Sequence, residues 1–243
     1  MSNAAACRDR CRLEFDVPMV SLDEFLPEVV LSAPGVPVEI AKSYIRQAVI
    51  DMAEKTNMLQ RRVRIDLQSG ASNYLLEPPD CTRSIGISEI CNIATQSRVR
   101  VLPHEPCALA CSACGIPPLV GAYPDANWSW WWNNSVAWFQ QPNELRLTCA
   151  PTCDVELGLW IDLIVAPKRD ACEVDRVLYD RYAPTVHAGA LMYLYRIPKQ
   201  DWTDPRMAEQ KRQEFSIGTN SAAGDRLMGM ARGPIRLVTP RIL

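Results

Sequence analysis

The sequence predicts an α+β fold: a discontinuous helical bundle with an inserted antiparallel β-domain, a small sandwich, and an extended C-terminal arm. Three observations lead there. Apolar residues recur at helical spacing over 38–56 and again from about 174. Between these stretches, from about 58 to 168, the period falls toward two and turn clusters punctuate the chain. After Asp225 the helical pattern gives way to arginines, β-branched residues and prolines. The resulting division is 1–57 for the first part of the helical domain, 58–172 for the β-insert, 173–231 for the second helical part and 232–243 for the arm.

Ser21-Leu-Asp-Glu24 reads as a capping box opening a short helix near 22–30, which Pro27 keeps short. Pro34-Gly35-Val36-Pro37 then introduces a longer helix from Val38 to about Thr56. Ile40, Ala41, Tyr44, Ile45, Ala48, Val49 and Met52 give that helix one apolar face. Pro37 suits a first-turn position, where its missing N–H costs nothing.

Arg62-Val-Arg-Ile-Asp-Leu67 alternates strictly and predicts a half-buried strand. Ser84–Ile90 alternates less cleanly, and Arg98–Leu102, Glu144–Thr148 and Val155–Val165 complete the strands. Glu77-Pro-Pro-Asp80, Pro117-Pro118 and Gln141-Pro-Asn143 separate them. Residues 103–127 carry few regular signals and are expected to form a long loop.

Val174, Leu178, Tyr182, Val186, Gly189, Ala190, Tyr193, Leu194 and Ile197 form a helical stripe that Pro198 ends. The small residues Ala188, Gly189 and Ala190 permit close helix–helix approach. Thr203-Asp204-Pro205 reads as a cap with proline in the first turn of a last helix through Phe215, continuing toward Met230 although Gly218 and Gly224 weaken it. Beyond Asp225 stand Arg226, Arg232, Arg236 and Arg241 with no acidic side chain, interleaved with Ile235, Leu237, Val238, Ile242 and Leu243. Pro234 and Pro240 disfavour a helix there. An arm of this kind can add a strand to a partner's sheet edge; the plainer alternative is a disordered tail.

Composition excludes several classes. The 243 residues carry a net charge of −2, so nothing global points to nucleic acid or an anionic membrane. No apolar run approaches the roughly 20 residues needed to span a bilayer. The first residues, MSNAAACRDRCRLEFD, lack an apolar core after their basic residues, so no secretory signal is expected and synthesis and use in a cytoplasm are. Two histidines leave little room for triads or imidazole-rich metal sites.

Ten cysteines are the compositional oddity. Cys107, Cys111 and Cys114, with Cys149 and Cys153 and the nearby His104, could supply zinc thiolates. The group lacks a matching second Cys-x-x-Cys, and Cys81, Cys91 and Cys172 show cysteine used elsewhere. Reduced thiols packed as small apolar groups are therefore the favoured reading, with a zinc-stabilised module and loop disulfides as alternatives. No cofactor is expected.

Asn127–Phe139 holds an aromatic cluster in which Trp128, Trp130 and Trp132 would share one face of a strand. Subunit contact or packing is favoured; the alternative is a carbohydrate-binding or hydrolytic tail component that stacks sugars on these rings. His187 lies on a helical packing face, with no nucleophile motif beside it, and no catalytic residue is assigned.

The order of features resembles a known family, the head-to-tail adaptors of short-tailed bacteriophages (tail-tubular-protein-A type). Phe25-Leu-Pro-Glu-Val-Val30, Pro34-Gly-Val-Pro37 and Ala48–Thr56 carry the first part of the likeness. Leu178-Tyr-Asp-Arg-Tyr182, Ala188-Gly-Ala-Leu191, Ile197–Pro205 and Phe215 carry the second. The likeness runs in order over about 20–220; the cysteine-rich loop, the tryptophan cluster and 226–243 depart from it. It implies a dodecameric ring beneath a portal protein, receiving the tail nozzle protein and lining a channel for double-stranded DNA, as part of a virion assembled in the host cytoplasm. A near-neutral chain agrees with DNA that must slide rather than bind tightly. On this reading Arg232, Ile235, Arg236, Leu237, Val238, Arg241, Ile242 and Leu243 reach the portal. Trp128, Trp130 and Trp132 contact another subunit or the nozzle.

Overall fold

Side chains cap two of the helical starts, Ser21 that of a 3-10 turn and Asp204 that of the last helix. The computed structural model describes residues 17–92, 100–102, 136–141, 143–147, 150–151 and 154–227. β1 (Met19–Ser21) leads through a 3-10 turn at Leu22–Phe25 into α1 (Leu26–Ser32). Ser21 Oγ accepts a hydrogen bond from Asp23 N at 3.2 Å, one residue earlier than a capping box through Glu24 would place it. α2 (Val38–Thr56) starts after Pro37 and ends at Asn57, whose left-handed backbone (φ 52°) returns its N–H to Ala53 O. Ala41, Ile45, Ala48, Val49 and Met52 are buried as the periodicity requires. Ile40 is exposed instead, because it lies about 100° around the helix from Ala41, at the margin of the stripe.

β2 (Gln60–Leu67) and β4 (Thr82–Asn92) flank the long central strand β8 (Val155–Pro167), all antiparallel. The register sets Val63 and Ile90 opposite Ile161 on either side. β4 shifts register between Ser84 and Gly86 and again between Ile87 and Glu89, which explains its imperfect alternation, since each irregularity resets which face the next residue takes. A second sheet orders β3 (Asn73–Leu75), β7 (Glu144–Leu147), β6 (Val136–Gln141) and β5 (Arg100–Leu102). One pair departs from the antiparallel expectation: β5 runs parallel to β6. Leu145 and Leu147 of this sheet join Leu67, Leu159 and Ile161 of the first in one buried cluster, which continues into the helices.

β9 (Glu173–Asp175) pairs with β1 and leads directly into α3 (Arg176–Leu194), so Val174, expected in the helical stripe, is a buried strand residue. α3 continues through Pro184, which is exposed. Its missing N–H therefore frees the Asp180 carbonyl on the solvent side. α4 (Pro205–Leu227) is capped by Asp204, whose Oδ1 accepts from Arg206 N and Met207 N, both at 3.0 Å. It runs unbroken through Gly218 and Gly224. No helix among the described residues is long and apolar enough to cross a membrane.

The small residues of α3 set how closely the helices approach. A Cβ on Gly189 would lie 2.8 Å from Ala48 Cβ of α2 and 2.8 Å from the Phe215 ring of α4. A Cβ on Gly218 would meet Thr185 Oγ1 at 2.2 Å, so a glycine that lowers helix propensity is what lets α4 lie against α3.

Where the sheet meets the helices, Arg61 takes an inward position on β2 that alternation assigns to the core. Its guanidinium pairs with Asp175, and both side chains are less than a tenth exposed. Asp175 precedes α3 at its N-cap but makes no cap hydrogen bond, its carboxylate being committed to Arg61. Burial pushes that carboxyl above its ordinary range, with Arg61 acting in the opposite direction.

Gly189→Ala should lower unfolding stability by about 1–3 kcal/mol through overpacking. Gly224→Ala, with open space around it, should raise stability by roughly 0.5–1 kcal/mol; denaturant titrations of both variants check the contrast. Arg61→Met should cost about 3–5 kcal/mol by stranding the Asp175 carboxylate, whereas Arg61→Met with Asp175→Leu should recover most of that loss. A double variant as unstable as the single one would show that the pair's charge is not the issue.

Candidate functional site

Cys107, Cys111 and Cys114, the tryptophans 128, 130 and 132, and all of the arm at 232–243 lie outside the described residues. Among the described residues no group of three or more His, Cys, Asp or Glu side chains could hold a metal ion. Two cysteines correct the reduced-thiol expectation: Cys81 and Cys172 are disulfide-bonded. Both are half-buried and sit on turns rather than in the apolar core. Cys81 precedes β4 and accepts Lys168 N at 2.9 Å, and Cys172 lies just past the turn that Lys168 begins. Disulfides persist in oxidising surroundings.

A groove of about 420 Å³ lies between the end of α2, the end of α3 and the middle of α4. Met192, Phe215 and Ala223 supply its apolar part, and Ser216, Thr219 and Asn220 its neutral polar part. Its charged lining is entirely basic: Lys55, Arg196 and Arg212. Lys55 Nζ lies 5.0 Å from the Phe215 ring centroid, a cation–π contact. Arg212 is held by both oxygens of Glu209, at 2.5 and 2.8 Å. Tyr193 on the groove wall stacks on Tyr44 at 5.8 Å and donates to Asp51. Burial first, and that contact second, push its hydroxyl up to about 12, so it stays protonated. Such a groove can receive a carboxylate or phosphate beside an apolar side chain.

A different chemistry occupies the other side of α3. His187 is buried against the α1 side, edge-on to Phe25 at 5.9 Å, with Nδ1 2.5 Å from Glu28 Oε2. The contact has ion-pair distance without hydrogen-bond alignment, and both ring nitrogens are buried without a hydrogen bond. Burial lowers the imidazole pKa below 6.5; the Glu28 carboxylate opposes this but does not win. The side chain is 7% exposed and packs against Phe25.

No protein-family model matches the chain, and no curated protein matches it.

A further platform lies on the outer face of the first sheet. Arg62 and Arg64 of β2 stack over Trp160 of β8 at 4.9 and 5.3 Å, and Arg62 makes a two-pronged bridge to Asp162 at 2.7 and 2.9 Å. The strict alternation of β2 foretold that Arg62 and Arg64 share a face, but nothing in it indicated Trp160. The groove left no local signal, since its lining is drawn from three helices far apart in the chain.

The sign of the His187 effect follows from its lowered pKa. As pH falls, the unfolded chain takes up the proton first, near 6.5, and the folded chain only at lower pH. Stability contributed by the neutral imidazole is therefore present above about 6.5 and lost below it. The denaturation midpoint should fall between about pH 7 and pH 5, and fall less in His187→Gln. Parallel pH profiles for parent and variant would rule this out.

Proposed function

We propose that this chain is a structural head-to-tail adaptor, one subunit of a dodecameric ring that sits beneath a portal protein, receives the tail nozzle protein and lines the channel for double-stranded DNA. On this reading it acts in the virion, is assembled in the host cytoplasm and performs no catalysis.

One observation carries the reading. The short sequence pieces that resemble the adaptor family are scattered over some 190 residues, yet they pack on one another. Ala48, Gly189 and Phe215, each from a different matching piece, meet at a single point. Phe25 from the first piece lies edge-on to Tyr179 from the later one at 5.1 Å. Gly35 of the Pro34–Pro37 piece approaches Trp202 of the Ile197–Pro205 piece. Contacts of this kind between distant matching pieces are expected when a packed scaffold is shared. The arm at 232–243 is assigned to the portal because its arginines and β-branched residues suit strand addition to a sheet edge. Trp128, Trp130 and Trp132 are assigned to a neighbouring subunit or the nozzle, since tryptophan is favoured at interface centres.

Electron microscopy of the chain mixed with purified portal rings tests this. The expected result is a twelve-fold ring seated on the portal, lost when 232–243 are deleted. Retention by the truncated chain removes the arm from the interface, and no ring with the full chain removes the adaptor reading itself.

A further inference from the structure

Glu24, Glu28 and Leu31 recur at i, i+4 and i+7 through the 3-10 turn and α1, so they share one outward face. Leu31 is 83% exposed, a large apolar side chain with no cover. The Glu28 side chain is 72% exposed, and burial lowers the pKa of His187, with which it is in contact. Glu24 makes no ion pair among the described residues. The ridge is thus acidic with an apolar tip.

The basic groove is its complement. Lys55 and Arg196 make no ion pair among the described residues, and Phe215 and Met192 offer an apolar floor beside them. The two features lie on opposite sides of α3. His187 faces the ridge, and Gly189, which faces α4, is about 200° further round at roughly 100° per residue.

We infer that the acidic ridge of one copy docks into the basic groove of the next. Charge complementarity within one sequence argues for a second copy: the exposed carboxylates of Glu24 and Glu28 stand on one side of α3 and the basic Lys55 and Arg196 on the other. Because the two surfaces differ, the contact is heterologous, and each docked copy still offers a free ridge or groove to another. Such contacts close into a ring when the rotation between copies divides a full turn, and otherwise make a filament. The inference rests on the ring reading above for that closure, and supplies it with a subunit contact.

Sedimentation analysis of the full chain tests the contact. The parent should associate with concentration, and less so as salt rises. Glu24→Lys with Glu28→Lys, and separately Lys55→Glu with Arg196→Glu, should each weaken association by roughly tenfold or more, with unchanged thermal melting. Mixed in equal amounts, the two should associate again, because each reversed ridge then meets a reversed groove. Should either double variant melt early, Leu31→Asp, at a side chain outside the core, carries the same expected loss. A parent that stays monomeric, reversed variants that associate like the parent, or a mixture that stays monomeric overturns the inference. Binding of inorganic phosphate in the groove of a chain that never self-associates overturns it too. Portal rings formed equally by parent and both variants sink this contact and leave the adaptor reading standing. Association with rescue but no portal binding does the reverse.

Discussion

The buried bridge between Arg61 and Asp175 is the constraint on which the layout depends. Arg61 occupies an inward position on β2 where its neighbours two and four residues on are Val63 and Ile65. Asp175 ends β9, pairs with Met19 of β1 and begins α3. One ion pair thus ties the three-stranded sheet to the two-stranded ribbon and to the first turn of the central helix. Its value is orientational. The carboxyl remains pushed above its ordinary range even beside a guanidinium, as expected when desolvation consumes most of the attraction. An apolar pair would hold the layers together at least as well, but it would not prescribe which residue of β2 meets the start of α3.

Small residues do the complementary work among the helices. Gly189 against Ala48 and Phe215, and Gly218 against Thr185, bring three helices together without intervening side-chain bulk. With the centre so closely packed, the longer polar and charged side chains are left to the periphery. Lys55, Arg196 and Arg212 gather along one side of α3, and Glu24 and Glu28 stand on the other. Close packing inside and charge segregation outside are two aspects of one helical arrangement.

Most of this fold was legible in the sequence where a long element repeats one period. α2 has the bounds its pattern and its flanking Pro37 and Asn57 require, and β2 and β8 follow their alternation. The three-residue strands β1, β3 and β9 were not legible, because three residues hold no period. The parallel pairing of β5 with β6 was equally hidden, since strand direction leaves no mark on so short a run. Arg61 looked like any polar residue in an alternating strand, and its partner lies 114 residues away. The disulfide state of Cys81 and Cys172 ran against the inference from the leading residues, which speaks to targeting and not to the geometry of two turns. The basic groove depends on faces of three helices coming together, and no local window contains it.

The discontinuity of the helical layer has a consequence for biosynthesis. Tyr193 donates a hydrogen bond to Asp51 across 142 residues of sequence, and the apolar stripe of α2 waits on partners similarly distant. At ribosomal rates of about 5–20 residues per second, α2 would emerge roughly seven to thirty seconds before α3 exists to cover it. During that interval Ile45 and Met52 are available to any apolar surface in the cell, including the α2 of another nascent copy. Yield of folded chain should therefore be governed less by final stability than by how well that exposed helix is sheltered while the β-segment is being made.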